Sequence, residues 1–129
     1  MDSGLAKKLQ LKPGQKVIVL NAPAGYFDQL RAALKANTLT NRAGGEADAV
    51  ILFAASVADL NRRAAKTVAA VPHDGLLWIA YPKGTSKIKS DLNRDHGWGA
   101  IHKAKLEGVR LIALDDTWSV MRFRPSGRK

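Results

Sequence analysis

Apolar positions along the chain follow two patterns, and their alternation sets the fold. Lys16-Val17-Ile18-Val19-Leu20, Ala49-Val50-Ile51-Leu52-Phe53 and Leu76-Leu77-Trp78-Ile79-Ala80-Tyr81 are runs of strand length with almost no polar interruption. Such runs suit strands buried on both faces of a parallel sheet. The intervening stretches have helical spacing. Phe27, Leu30 and Leu34 predict a helix from Tyr26 to Lys35 after the turn Asn21-Ala22-Pro23-Ala24-Gly25. Ser56 and Asp59 have the form of a capping box, after which Val57, Leu60, Ala64, Val68 and Val71 share one helical face. Asn61, Arg62, Arg63 and Lys66 fall on the opposite face, where solvation explains them.

The remaining segments complete the pattern. Ser3 caps an N-terminal helix at 3–11, with Leu5 and Leu9 one turn apart, as a brace or lid that Lys12-Pro13-Gly14 stops. Asn37 to Thr40 is a short strand, 41–46 with Gly44 and Gly45 a loop, and Pro72-His73-Asp74-Gly75 a turn. After the basic loop Pro82 to Lys89, Ser90 caps a helix beginning Asp91-Leu92-Asn93-Arg94-Asp95, which Gly97 and Gly99 interrupt. A second helical piece runs from Ala100 to Glu107 and stops at Gly108. Val109 to Leu114 and Trp118 to Phe123, joined by Asp115-Asp116-Thr117, predict a closing antiparallel hairpin, followed by a mobile basic tail at 125–129. The expected architecture is one Rossmann-like, three-layer α/β domain over 1–124, its mostly parallel sheet having about six strands.

Composition narrows the chemistry. A chain of 129 residues with 46% hydrophobic and 25% charged residues is ordinary for one globular domain. It has no apolar stretch of membrane length and no secretory pattern in MDSGLAKKLQ, so a cytoplasmic protein without a membrane partner is expected. With no cysteine there is no disulfide, thiolate nucleophile or Cys-ligated metal. His73 and His102 lack partners at ligand spacing, and no metal is expected. The net charge of +10, from 21 Lys and Arg against 11 Asp and Glu, favours anionic partners. The cations are spread along the chain rather than gathered in one arm. An anionic small molecule is therefore the first expectation and nucleic acid an alternative.

Two resemblances add to this reading. HDGLLWIAYP, followed by a helix and a terminal hairpin, resembles the second half of a class I S-adenosylmethionine-dependent methyltransferase. LLWIAYPKGTSKIKSDLNRDHGW, DDTWSVMRFRP and LAKKLQLKPGQKVIVLNAPAGY together resemble a family of small bacterial proteins grouped as a domain of unknown function. The second resemblance implies no reaction and carries over no catalytic residue. The first implies a truncated methyltransferase fold and S-adenosylmethionine as cofactor, with a glycine-rich turn after the first strand and an acidic residue after the second. The first turn here has one glycine, Gly25, and the second strand ends in Thr40-Asn41-Arg42, without a carboxylate.

Open parallel sheets bind ligands outside the carboxyl ends of their strands. That rule gathers Asn21 to Tyr26, Ser56, Tyr81 to Lys89 and Asp115 on one edge, with the helix N-termini capped by Ser56 and Ser90 facing it. Lys83, Thr85, Ser86 and Lys87 can cradle a phosphate, with Asn21, Gly25 and Tyr26 opposite; the spacing is not that of a P-loop, and a solvated loop explains the lysines equally well. Arg94 can hold an anion and Asp95 act as a general base, although Asp91, Arg94 and Asp95 at helical spacing also read as an ion-pair network. Trp98 is either a stacking platform or core, and Arg122 and Arg124 meet phosphates or pair with Asp115 or Asp116. Three functions remain: binding of a nucleotide or other phosphate-bearing ligand, atypical S-adenosylmethionine-dependent methyl transfer, and nucleic-acid binding.

Overall fold

A strand with no polar side escapes water only in the middle of a covered sheet, and the three apolar runs go there. A computed structural model describes residues 5–42, 47–71, 75–84, 90–93 and 96–125. In chain order the elements are α1 (Leu5–Lys8), β1 (Lys16–Leu20), α2 (Tyr26–Ala33), β2 (Thr38–Thr40), β3 (Ala49–Phe53), α3 (Val57–Ala70), β4 (Leu76–Pro82), α4 (Gly99–Lys103), β5 (Leu106–Ala113) and β6 (Trp118–Pro125). They build one α/β domain around a six-stranded sheet ordered β2-β1-β3-β4-β6-β5. The first four strands in that order are parallel, and β6 runs antiparallel to both β4 and β5. The Rossmann-like fold with its C-terminal antiparallel hairpin is the one the sequence predicts.

Alternate residues of each strand supply two cores. Ile18, Val50, Leu52, Leu77, Ile79 and Phe123 face Leu60 and Ala64 of α3 and Ile101 of α4. Val17, Val19, Ile51, Phe53, Trp78 and Val120 face Leu5 of α1 and Leu30 of α2. Burying both faces of β3 and β4 removes most of their apolar area from water, at about 25 cal/mol per Å². The N-terminal segment is a brace rather than a long helix. Within the described residues it is helical only over 5–8, and the backbone then turns at Gln10, yet Leu5, Leu9 and Leu11 are all buried. The Leu9 carbonyl accepts a hydrogen bond from Trp78 Nε1 at 3.0 Å, which satisfies the indole inside the core.

Local expectations are corrected here. Among the described residues directly after Ser90, 91–93 are not helical. Asn93 and His96 instead form an antiparallel bridge through two backbone hydrogen bonds, and Ser90 Oγ accepts from Leu92 N in a turn. On either side of that bridge, Leu92 and Trp98 both enter the core on the α3 side. The Asp91 carboxylate accepts the N–H of Val57 at 2.8 Å, capping α3 from a distant segment. Gly108 is not a helix stop: it lies within β5, where a Cβ would stand 2.5 Å from Met121 Sδ, and the helical piece ends at Lys103. The turn at Pro72 to Asp74, the ion-pair candidates Arg94 and Asp95, and the tail beyond Pro125 lie outside the described residues.

Candidate functional site at the carboxyl edge of the sheet

The strand order reverses direction between β1 and β3, because β1 leads outward to β2 whereas β3 leads the other way to β4. Ligands of open α/β sheets settle in the crevice at such a reversal. Asn21 stands there, directly after β1, with a positive φ of 58°. Its Nδ2 donates to the Phe53 carbonyl oxygen at 2.8 Å and to Asp59 Oδ2 at 2.9 Å. Asp59 also accepts from Ala55 N at 3.2 Å and from Arg63 Nε at 2.9 Å. Burial opposes ionisation of Asp59, but the Arg63 guanidinium and the Ala55 and Asn21 donors outweigh it and hold the carboxyl below its ordinary value.

The capping box forms in a modified way. Ser56 Oγ accepts from Asp59 N at 3.1 Å, while the Asp59 carboxylate reaches Ala55 N rather than the Ser56 amide. With Asp91 on Val57 N, the α3 N-terminus already spends donors on the protein's own oxygens. It is not the open anion seat the capping pattern suggested.

Beside Asn21 opens a cavity of about 520 Å³. Leu20, Asn21 and Leu52 form its sheet side, Asn41 and Arg42 follow β2, and Arg62, Arg63, Lys66 and Thr67 come from α3. Lys16, Ile18 and Leu20 of β1 share the α3 side of the sheet with Thr38 and Thr40 of β2, so the ends of β1 and β2 and the facing surface of α3 border one space. The wall is cationic. Arg42, Arg62, Arg63 and Lys66 line it, and no carboxylate does among the described residues. Arg62, Arg63 and Lys66, which helical periodicity assigns to plain solvent, thus have a defined place. Thr67 is fully buried, and its hydroxyl has no hydrogen-bond partner. It was legible as a polar residue on the buried face, seven positions beyond Leu60.

On the other side of Asn21 lies a second cluster. The Tyr26 hydroxyl, at the start of α2, donates to Asp115 Oδ2 in the hairpin turn. Asp115 Oδ1 accepts from Thr117 N and Trp118 N, both at 2.8 Å. Burial, then the bond to Asp115 and its negative charge, pushes the Tyr26 phenol up to about 12. Burial works against ionisation of Asp115, yet the Tyr26 hydroxyl, the two N–H donors and the charge of Lys83 keep it below its ordinary value. Lys83 N donates to Thr117 O at 2.8 Å, tying the end of β4 to the same turn.

Asn21, Gly25, Tyr26, Ser56 and Lys83 therefore share the carboxyl edge, as parallel β1, β3 and β4 require. Thr85, Ser86, Lys87, Arg94 and Asp95 lie outside the described residues. The described cavity sits beside Asn21 and α3 rather than beside Gly25 and Lys83. Trp98 is core: its ring packs 5.6 Å from Tyr81 and 5.0 Å from Phe123, and Nε1 donates to Asn93 O at 2.7 Å. The Arg122 guanidinium bonds to Gln10, whereas the oxygens of Asp115 serve Tyr26 and the hairpin turn.

No family model and no curated protein matches the chain. Solved structures do, through their fold. An O-methyltransferase family 2 protein from Planctomyces limnophilus, in complex with apigenin, superposes with a TM-score of 0.57 at 15% identity over 95% of this chain and 45% of that one. DhpI in complex with SAH gives 0.60 at 9% identity, covering 98% and 84%. The B. subtilis tRNA methyltransferase TrmK gives 0.59 at 9% identity, covering 98% and 67%. The chain spans under half of the first and about two thirds or more of the others. At these identities the likeness is one of architecture, and the fold is methyltransferase-like.

Proposed function

We propose that the chain binds a nucleoside-type ligand in the cavity beside Asn21, on a methyltransferase-like scaffold. One observation carries this reading: a cavity of about 520 Å³ opens where the strand order reverses, the position at which open α/β sheets receive nucleotides. Its volume lies in the range of small-molecule sites. The charge of its wall favours a phosphate-bearing ligand, because Arg42, Arg62 and Lys66, with no carboxylate lining the wall among the described residues and Arg63 held by Asp59, stabilise an anion and oppose a cation. Clustering of Arg42, Arg62 and Lys66 at one cavity also favours a small anion over nucleic acid bound by diffuse charge.

The second reading is methyl transfer from S-adenosylmethionine, supported by the fold shared with methyltransferases. Titration calorimetry with adenine nucleotides, S-adenosylmethionine and S-adenosylhomocysteine separates the two. Nucleotide binding with NMR shifts centred on Asn21, Arg42 and Thr67 is the expected result. Saturation by S-adenosylmethionine alone would favour methyl transfer, and silence from every ligand would remove both readings.

A further inference from the structure

Arg42 stands two residues beyond the end of β2 and lines the cavity. In doubly wound nucleotide-binding sheets a carboxylate near this place accepts the ribose 2′-hydroxyl, whereas an arginine there accommodates a 2′-phosphate. This chain supplies the arginine, and no described carboxylate lines the wall. Arg62 and Lys66 of α3 face the same space, and neither pairs with a carboxylate among the described residues, while Arg63 is held by Asp59. On the inner wall the buried Thr67 hydroxyl has no partner, and a native structure seldom leaves such a group unsatisfied.

We propose that the cavity takes a nucleotide phosphorylated on its ribose, at the 2′ or 3′ oxygen. The planar fork of Arg42 holds the phosphate through two parallel hydrogen bonds. Arg62 and Lys66 add positive charge, and Thr67 bonds to the polar body of the nucleoside. This assignment rests on the nucleoside reading of the cavity and names the phosphate that its cations meet.

Calorimetry on the whole chain with adenosine, 5′-AMP, 2′-AMP, 3′-AMP and inorganic phosphate tests it. Either 2′-AMP or 3′-AMP should bind about tenfold or more tighter than 5′-AMP, the worth of one charge-assisted pair. Arg42→Ala should erase that preference, and Arg42→Lys should restore only part of it, since the ammonium keeps the charge without the fork. Thr67→Val should weaken nucleotide binding without lowering the melting temperature, which separates a ligand contact from a folding defect. If adenosine and 5′-AMP bind with no gain from a ribose phosphate, the assignment fails while the nucleoside reading stands. If no nucleoside or nucleotide binds, both fail. Phosphate binding as tightly as 2′-AMP would replace the nucleotide with a plain anion.

Discussion

The amide of Asn21 donates to the carbonyl oxygen of Phe53 at 2.8 Å and so bridges the ends of β1 and β3 at the point where the sheet reverses direction. The same nitrogen reaches Asp59 Oδ2, which fastens α3 to that junction. A left-handed backbone at Asn21 aims the side chain across the gap, a conformation asparagine tolerates better than most residues.

Asn21→Ala removes both bonds and leaves an unfavourable φ for alanine. It should lower unfolding free energy by about 1–3 kcal/mol in urea denaturation. Asn21→Gly relieves the backbone but not the lost bonds, and should fall between the parent and the alanine variant.

Acid stability should depend on Asp59 and Asp115. Both carboxyls sit below their ordinary value in the folded chain. A depressed folded value adds stability above the unfolded value, near pH 4, and that stability is lost as pH falls through the folded value. Urea midpoints measured from pH 7 to pH 2 should therefore drop in the acid limb. Asp59→Asn should be less stable than the parent at pH 7 and converge with it at the acid end.

The Tyr26 phenol, pushed up to about 12, makes the opposite prediction. A raised folded value adds stability present below about pH 10, lost as pH rises through the folded value. Absorbance titration of the parent should show a phenolate step near 12, and Tyr26→Phe should lack it. At neutral pH that variant loses the bond to a carboxylate and should be destabilised by about 1–2 kcal/mol.

Gly97 has φ 103° and borders Trp98. A Cβ there would come within 2.6 Å of Val57 Cγ2 and 2.8 Å of Leu92 Cδ1. Gly97→Ala combines left-handed strain with overpacking at the start of α3 and should lower stability by about 2–4 kcal/mol. A melting curve indistinguishable from the parent would mean that the backbone at Gly97 and Leu92 yields easily.

Periodicity carries the sheet far because burial is a one-dimensional property here. Five apolar residues in a row at Ala49–Phe53 are compatible with few environments other than the sheet centre. The region after Ser90 was less legible: a serine followed by Asp91 resembles a helix start whether its carboxylate serves its own turn or, as here, the Val57 amide of another element. A capping residue read along the chain does not reveal which helix it caps.

Hydrophobic pattern alone determined the central strands β1, β3 and β4, the α3 helix and thus the shared carboxyl edge, since each is decided by which neighbours along the chain must leave water. Tertiary structure decided the site. The end of β2 and the facing side of α3 meet at the strand-order reversal, so that Arg42 and the α3 cations, twenty or more residues apart, border one space. That juxtaposition depends on three-dimensional packing and strand order, neither of which is encoded in the spacing of any single segment.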